Sequence, residues 1–100
     1  MTNNNIDIDK YAIFQKNTEK NKNFNLQYMA IGLGGEVGEV LNEIKKYERD
    51  DNNILSTIRR KKIINEMGDV LWYFQGLCNR LNISILDVME NNIEKIENRK

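Results

Sequence analysis

Glu36-Val-Gly-Glu-Val-Leu41 recurs in the same chain as Glu66-Met-Gly-Asp-Val-Leu71: acid, apolar, Gly, acid, Val, Leu in both copies. On an α-helix, acids at i and i+3 share a face, with Cβ atoms about 5–6 Å apart. Turned at about 100° per residue, the flanking residues sort into stripes. Leu26, Met29, Leu33, Val40, Ile44 and Tyr47 form one apolar stripe, with Glu36, Glu39 and Glu43 along its edge. Ile63, Val70, Phe74, Leu77 and Leu81 form another, edged by Glu66, Asp69 and Tyr73. Antiparallel packing of the two stripes brings four carboxylates, Glu36, Glu39, Glu66 and Asp69, to one rim.

Converging carboxylates repel one another and raise each other's pKa, so a stable fold needs positive charge between them. An all-oxygen cluster suits a hard divalent cation, and Mg²⁺ typically takes carboxylates together with substrate phosphates. A solvated acidic edge explains one such motif; two matched copies favour the metal. A di-iron bundle wants Glu-x-x-His motifs, and the chain has no His. That also excludes imidazole catalysis. The single Cys78 excludes an intrachain disulfide and a multi-Cys zinc site.

Working outward, the helical period extends almost throughout, and no Pro interrupts it. Helices are expected at about Ile8–Lys20, Leu26–Tyr47 and Thr57–Leu81. Ser84 and Asp87 then open a fourth, which continues towards Arg99. Asn23 or Asn25 caps the second helix, and Glu48–Asn53 reads as a loop. No segment alternates with period two, so the expected class is all-α. All six glycines fall inside the second and third helices. Each costs about 1 kcal/mol there relative to Ala, which points to close approach of another backbone or a ligand. On the fourth helix Asn92, Lys95 and Arg99 follow one edge, where an amide and two cations can grip phosphate oxygens. Phe14, Phe24, Trp72 and Tyr73 are candidates for stacking on a base. Trp72, on the side away from its stripe, is expected at an interface between copies.

With 100 residues, one domain over 1–100 is expected, with 1–7 as a flexible tip. A chain this short buries only about two-thirds of its unfolded surface, and a dimer adds burial that one copy lacks. Fifteen Lys plus Arg balance fifteen Asp plus Glu. There is thus no bulk attraction to nucleic acid or to an anionic membrane. The Leu26–Gly35 stretch is too short to span a bilayer. Met1–Lys10 lacks the apolar run of a signal peptide, so the cytoplasm is the expected compartment.

These residues resemble the MazG-like nucleoside triphosphate pyrophosphohydrolases, the all-α NTP pyrophosphatase group. The pattern there is E-x-x-E, a spacer, then E-x-x-D. Here Glu36-x-x-Glu39 is followed, after 26 residues, by Glu66-x-x-Asp69. Gly32-Leu-Gly-Gly35, Ile44-Lys-Lys46 and Leu71-Trp-Tyr73 match the flanks, and Asn92-x-x-Lys95-x-x-x-Arg99 resembles the phosphate-side residues. Gly35 stands where many members carry a further Glu, which bears on metal number. The resemblance implies a four-to-five-helix bundle completed by oligomerisation, as a homodimer or homotetramer. It implies Mg²⁺, with Mn²⁺ as a substitute, held by Glu36, Glu39, Glu66 and Asp69. The reaction implied is hydrolysis of a (deoxy)nucleoside triphosphate to the monophosphate and pyrophosphate. Glu36 or Glu39 would orient the attacking water, and Asn92, Lys95 and Arg99 would bind the phosphates. The competing reading is a non-catalytic helical dimer that binds nucleotides or a protein partner.

Overall fold

A computed structural model describes residues 5–21 and 23–99. Its order is α1 (Ile8–Thr18), α2 (Leu26–Asp50), α3 (Thr57–Leu81) and α4 (Ile85–Glu97), with no strand among the described residues. The all-α expectation holds.

Local chemistry sets the boundaries. Asp7, Asn25 and Ser56 accept hydrogen bonds from Lys10 N, Tyr28 N and Arg59 N, satisfying backbone donors in the first turns of α1, α2 and α3. Asp7 therefore belongs to α1 as its cap, while positions 1–4 of the expected tip lie outside the described residues. Ser84 and Asp87 form a capping box at the start of α4. α2 continues to Asp50, three residues past the expected stop, because Glu48–Asp50 are polar but remain helical. Asn52 and Asn53 end the run in the left-handed region (φ 54° and 59°), which Asn tolerates. The Tyr47 hydroxyl then donates to Asn53 O at 2.8 Å. α1 stops at Thr18, earlier than expected. α4 stops at Glu97, leaving Arg99 beyond the helix.

α2 and α3 form an antiparallel pair, and α1 crosses the C-terminal half of α3. The fully buried apolar core is small: Met29 and Cys78, beside the buried amides of Gln15 and Gln75. Asn79 joins those amides, donating to Gln15 Oε1 and to Ala12 O and accepting from Gln75 Nε2. Arg80 ties α3 to the α1–α2 connector, donating to the buried Glu19 carboxylate, to Phe24 O and to Gly76 O. Its partners lie up to 61 residues away, so local spacing gave no signal for it. Trp72 is half-buried, donating to Thr18 Oγ1 at 2.9 Å and meeting Tyr73 edge-on.

Two glycines show the expected close approach. A Cβ on Gly32 would collide with the Tyr73 ring at Cε1, and one on Gly76 would sit 2.5 Å from Met29 Sδ. Gly34, Gly35, Gly38 and Gly68 face open space within this chain. Gly76→Ala is therefore expected to destabilise by about 1–3 kcal/mol through overpacking, despite its better helix propensity. Gly68→Ala should stabilise by up to about 1 kcal/mol. Thermal denaturation of the two variants checks the opposite signs.

α4 leaves this body without packing along the α2–α3 pair, and Leu86, Met89, Ile93 and Ile96 remain exposed. The radius of gyration is 16.0 Å, against about 13 Å for a compact chain of this length. Large apolar side chains stay exposed on α2 (Val37, Leu41, Ile44) and on α3 (Ile64, Met67, Leu71).

Candidate metal centre

Glu36 on α2 and Glu66 and Asp69 on α3 converge, each offering one oxygen within 4.8 Å of the others. The register of the helix pair brings them together. Met29 lies against Gly76 and Gly32 against Tyr73, and one turn further along α2 Glu36 faces Glu66 and Asp69. Glu36 and Glu66 are half-buried at the seam, and Asp69 is exposed.

Burial, then the charges of Asp69, Glu66 and Glu39, push the Glu36 carboxyl above its ordinary range. Burial, then Asp69, Glu39 and Glu43, do the same at Glu66, with Lys46 opposing. Glu39 is exposed and stands outside the three-oxygen group, although both seam glutamates feel its charge. Three of the four predicted ligands therefore meet directly, with the fourth one turn along.

The donor set fits a hard divalent cation. All three groups are carboxylates, and oxygens on opposite sides of one Mg²⁺ are about 4 Å apart. The oxygens of Glu36, Glu66 and Asp69, all within 4.8 Å of one another, match that scale.

Glu43, expected on the same acidic edge, is taken by Arg59. The guanidinium donates to Glu43 Oε1 and Asp51 Oδ2, each at 2.7 Å. That bond to Arg59, above all, holds the Glu43 carboxyl below the usual range. The Arg59-Arg-Lys-Lys62 run is thus not uniformly solvated, because its first member locks the hairpin turn.

Tyr73 lies over Gly32, beside Glu36 and Asp69, with its ring tilted against that of Tyr28. Burial, then Tyr28, raises its pKa. Phe24 stacks on Tyr28 with ring centroids 3.8 Å apart. Tyr28 gives no stacking signal in the sequence, because its position off the apolar stripe has meaning only once the fold sets Tyr73 beside it. Phe14 is exposed and touches Tyr11.

Asn92, Lys95 and Arg99 are exposed and make no hydrogen bond or ion pair to the carboxylates of their own chain. A hollow of about 520 Å³ behind α1, lined by Phe24, Gln75, Asn79 and Asn82, contains none of the clustered acids. No helix among the described residues is long and apolar enough to cross a membrane.

The chain is 37% identical over 75 residues to the Gene 37 protein of Mycobacterium phage L5, a match covering 75% of this chain and 66% of that protein. No solved structure gives a significant match. The MazG nucleotide pyrophosphohydrolase domain matches residues 24–100, which include both acidic motifs and all of α2, α3 and α4. The chain belongs to the MazG nucleotide pyrophosphohydrolase domain family.

Proposed function

We propose that the chain hydrolyses a (deoxy)nucleoside triphosphate to the monophosphate and pyrophosphate in a Mg²⁺-dependent reaction. The observation that carries this reading is the convergence of Glu36, Glu66 and Asp69 from two helices at one half-buried seam. Those three residues, with Glu39 alongside, would hold Mg²⁺, and Mn²⁺ would substitute. Such a cation supplies Lewis-acid screening of the triphosphate charge and acidifies water.

The chain's own groups account for the rest. Glu39, exposed one turn from the cluster, orients the attacking water and takes its proton; Glu36 is the second candidate for that role. The water oxygen bonds to the α-phosphorus, the bond to the bridging oxygen breaks, and pyrophosphate leaves with that oxygen. Tyr28 and Tyr73 offer ring faces beside the carboxylates.

A second copy completes the site in this reading. The exposed apolar faces of α2 and α3, and the stripe on the unpacked α4, are covered in a homodimer or homotetramer. Asn92, Lys95 and Arg99 of one copy then serve the phosphates of the other.

Product analysis tests the reaction. Incubation of a nucleotide panel with Mg²⁺, followed by phosphorus NMR, should show monophosphate and pyrophosphate. Diphosphate and orthophosphate would contradict it. Nucleotide binding with no turnover would replace the enzyme by a binding module.

A further inference from the structure

The groove edge along α2 and α3 has a direction. At one end lie Tyr28 and Tyr73, 6.3 Å apart between ring centroids, with Tyr28 42% exposed. The carboxylates Glu36, Glu66 and Asp69 occupy the middle. Beyond them, at the hairpin end, comes Lys46, its ammonium 3.7 Å from Glu43. We propose that this order fixes the orientation of the substrate, with Lys46 binding the pyrophosphate end and the Tyr28–Tyr73 pair receiving the nucleoside end. The proposal rests on the pyrophosphohydrolase reading and deepens it by assigning the two ends of one site.

Three observations single out Lys46 among the nearby cations. Its separation from Glu43 is too long for a hydrogen bond, and Glu43 already receives Arg59 at 2.7 Å. The ammonium, 39% exposed, can therefore change partner at little cost. Arg59 cannot, because two carboxylates hold its fork. Direction then separates Lys46 from Lys62. Side chains on a helix lean towards its N-terminus, so on α2 the lysine stem leans back towards Glu43 and the cluster. On antiparallel α3 the stem of Lys62 leans away from Glu66. Consistently, the charge of Lys46 is felt at Glu66. Glu39 to Lys46 is two turns of helix, about 10 Å of axial rise, and the lean and stem of Lys46 shorten that gap to phosphate scale. At the other end, Arg80 is held by Glu19, Phe24 O and Gly76 O, so its guanidinium is not free to take a phosphate there. A triphosphate tail is thus drawn one way, which sets the scissile bond over the carboxylates and the leaving group towards Lys46.

Lys45, the neighbouring cation, is not a clean control. It lines a hollow with Glu39, Gly38 and Leu41, so the neutral comparison is instead Lys61, an exposed cation on α3 that five residues turn about 140° away from Glu66. Calorimetric titrations in Mg²⁺ should compare wild type, Lys46→Met, Lys61→Met and Tyr28→Ala. One probe is inorganic pyrophosphate. The other is the monophosphate of the nucleotide that wild type hydrolyses fastest. Lys46→Met keeps the Glu43–Arg59 pair and should fold normally. It should weaken pyrophosphate binding about ten- to a hundred-fold, the loss of one charge-assisted hydrogen bond, and leave the monophosphate within about twofold. Tyr28→Ala should show the reverse pattern, and Lys61→Met should change neither probe. Unchanged pyrophosphate affinity in Lys46→Met, or equal weakening of both probes, overturns the orientation while leaving the hydrolase reading intact. A wild-type protein that neither binds pyrophosphate nor releases it from any nucleotide removes both.

Discussion

Asp69→Asn and Glu36→Gln should each lower the rate of pyrophosphate release by about a hundred- to a thousandfold, the scale for losing the transition-state charge stabilisation that the metal they hold would supply. The same substitutions should leave helicity intact, because neither side chain makes a structural ion pair or caps a helix. Stability without metal should rise. The Glu36 and Glu66 carboxyls are raised by burial first and then by neighbouring acids, so the folded state binds protons more tightly than the unfolded chain does. By linkage, these two groups reduce stability at neutral pH, and the penalty fades as pH falls through the raised folded-state values and below the unfolded ones. The excess melting temperature of Glu66→Gln over wild type should therefore be positive at neutral pH and shrink on acidification. Melting scans across pH, without divalent cations, measure that difference.

Leu41→Asp should dissociate the assembly. Leu41 is 63% exposed and Met67 54% exposed in one copy, on the α2 and α3 faces that also carry Val37, Ile44, Ile64 and Leu71. Fully burying a large aliphatic side chain contributes about 1.5–3 kcal/mol. A two-fold interface counts each substitution twice, so the expected loss is about 3–6 kcal/mol per dimer. Sedimentation equilibrium should report an oligomer for wild type and a monomer for the variant. A wild-type monomer with full activity would remove the shared site. Mixing tests the sharing itself: Asp69→Asn and Lys95→Met copies, refolded together, should recover activity that neither shows alone. No recovery would confine Lys95 to its own chain or to the surface.

Much of this architecture is legible in the residues. The i, i+3 acids, the unbroken helical period and Ser84 with Asp87 locate α2, α3 and the start of α4, because each signal acts within one or two turns. The end of α2 is not legible by composition. Polar Glu48–Asp50 look like a loop, yet the helix stops only where Asn52 and Asn53 turn left-handed. Glu39 is exposed and outside the cluster, whereas Glu66 and Asp69, at the same i, i+3 spacing, both reach it, so spacing alone does not tell which member of a pair turns outward. Arg59, Arg80 and Tyr28 acquire roles only through partners that the tertiary fold supplies. The placement of α4 is the largest departure from the spacing argument. Its edge residues are arranged as expected along the helix, but nothing in one chain brings them to the carboxylates.

The central claim is that two helices build one metal site from Glu36, Glu66 and Asp69. Calorimetric titration of Mn²⁺ and Mg²⁺ into wild type and Asp69→Asn, at neutral pH and without nucleotide, tests it most directly. Saturable binding in wild type that falls at least about tenfold in the variant, the lower end for weakening a metal site, is the predicted result. Equal affinity in the two proteins would contradict the account.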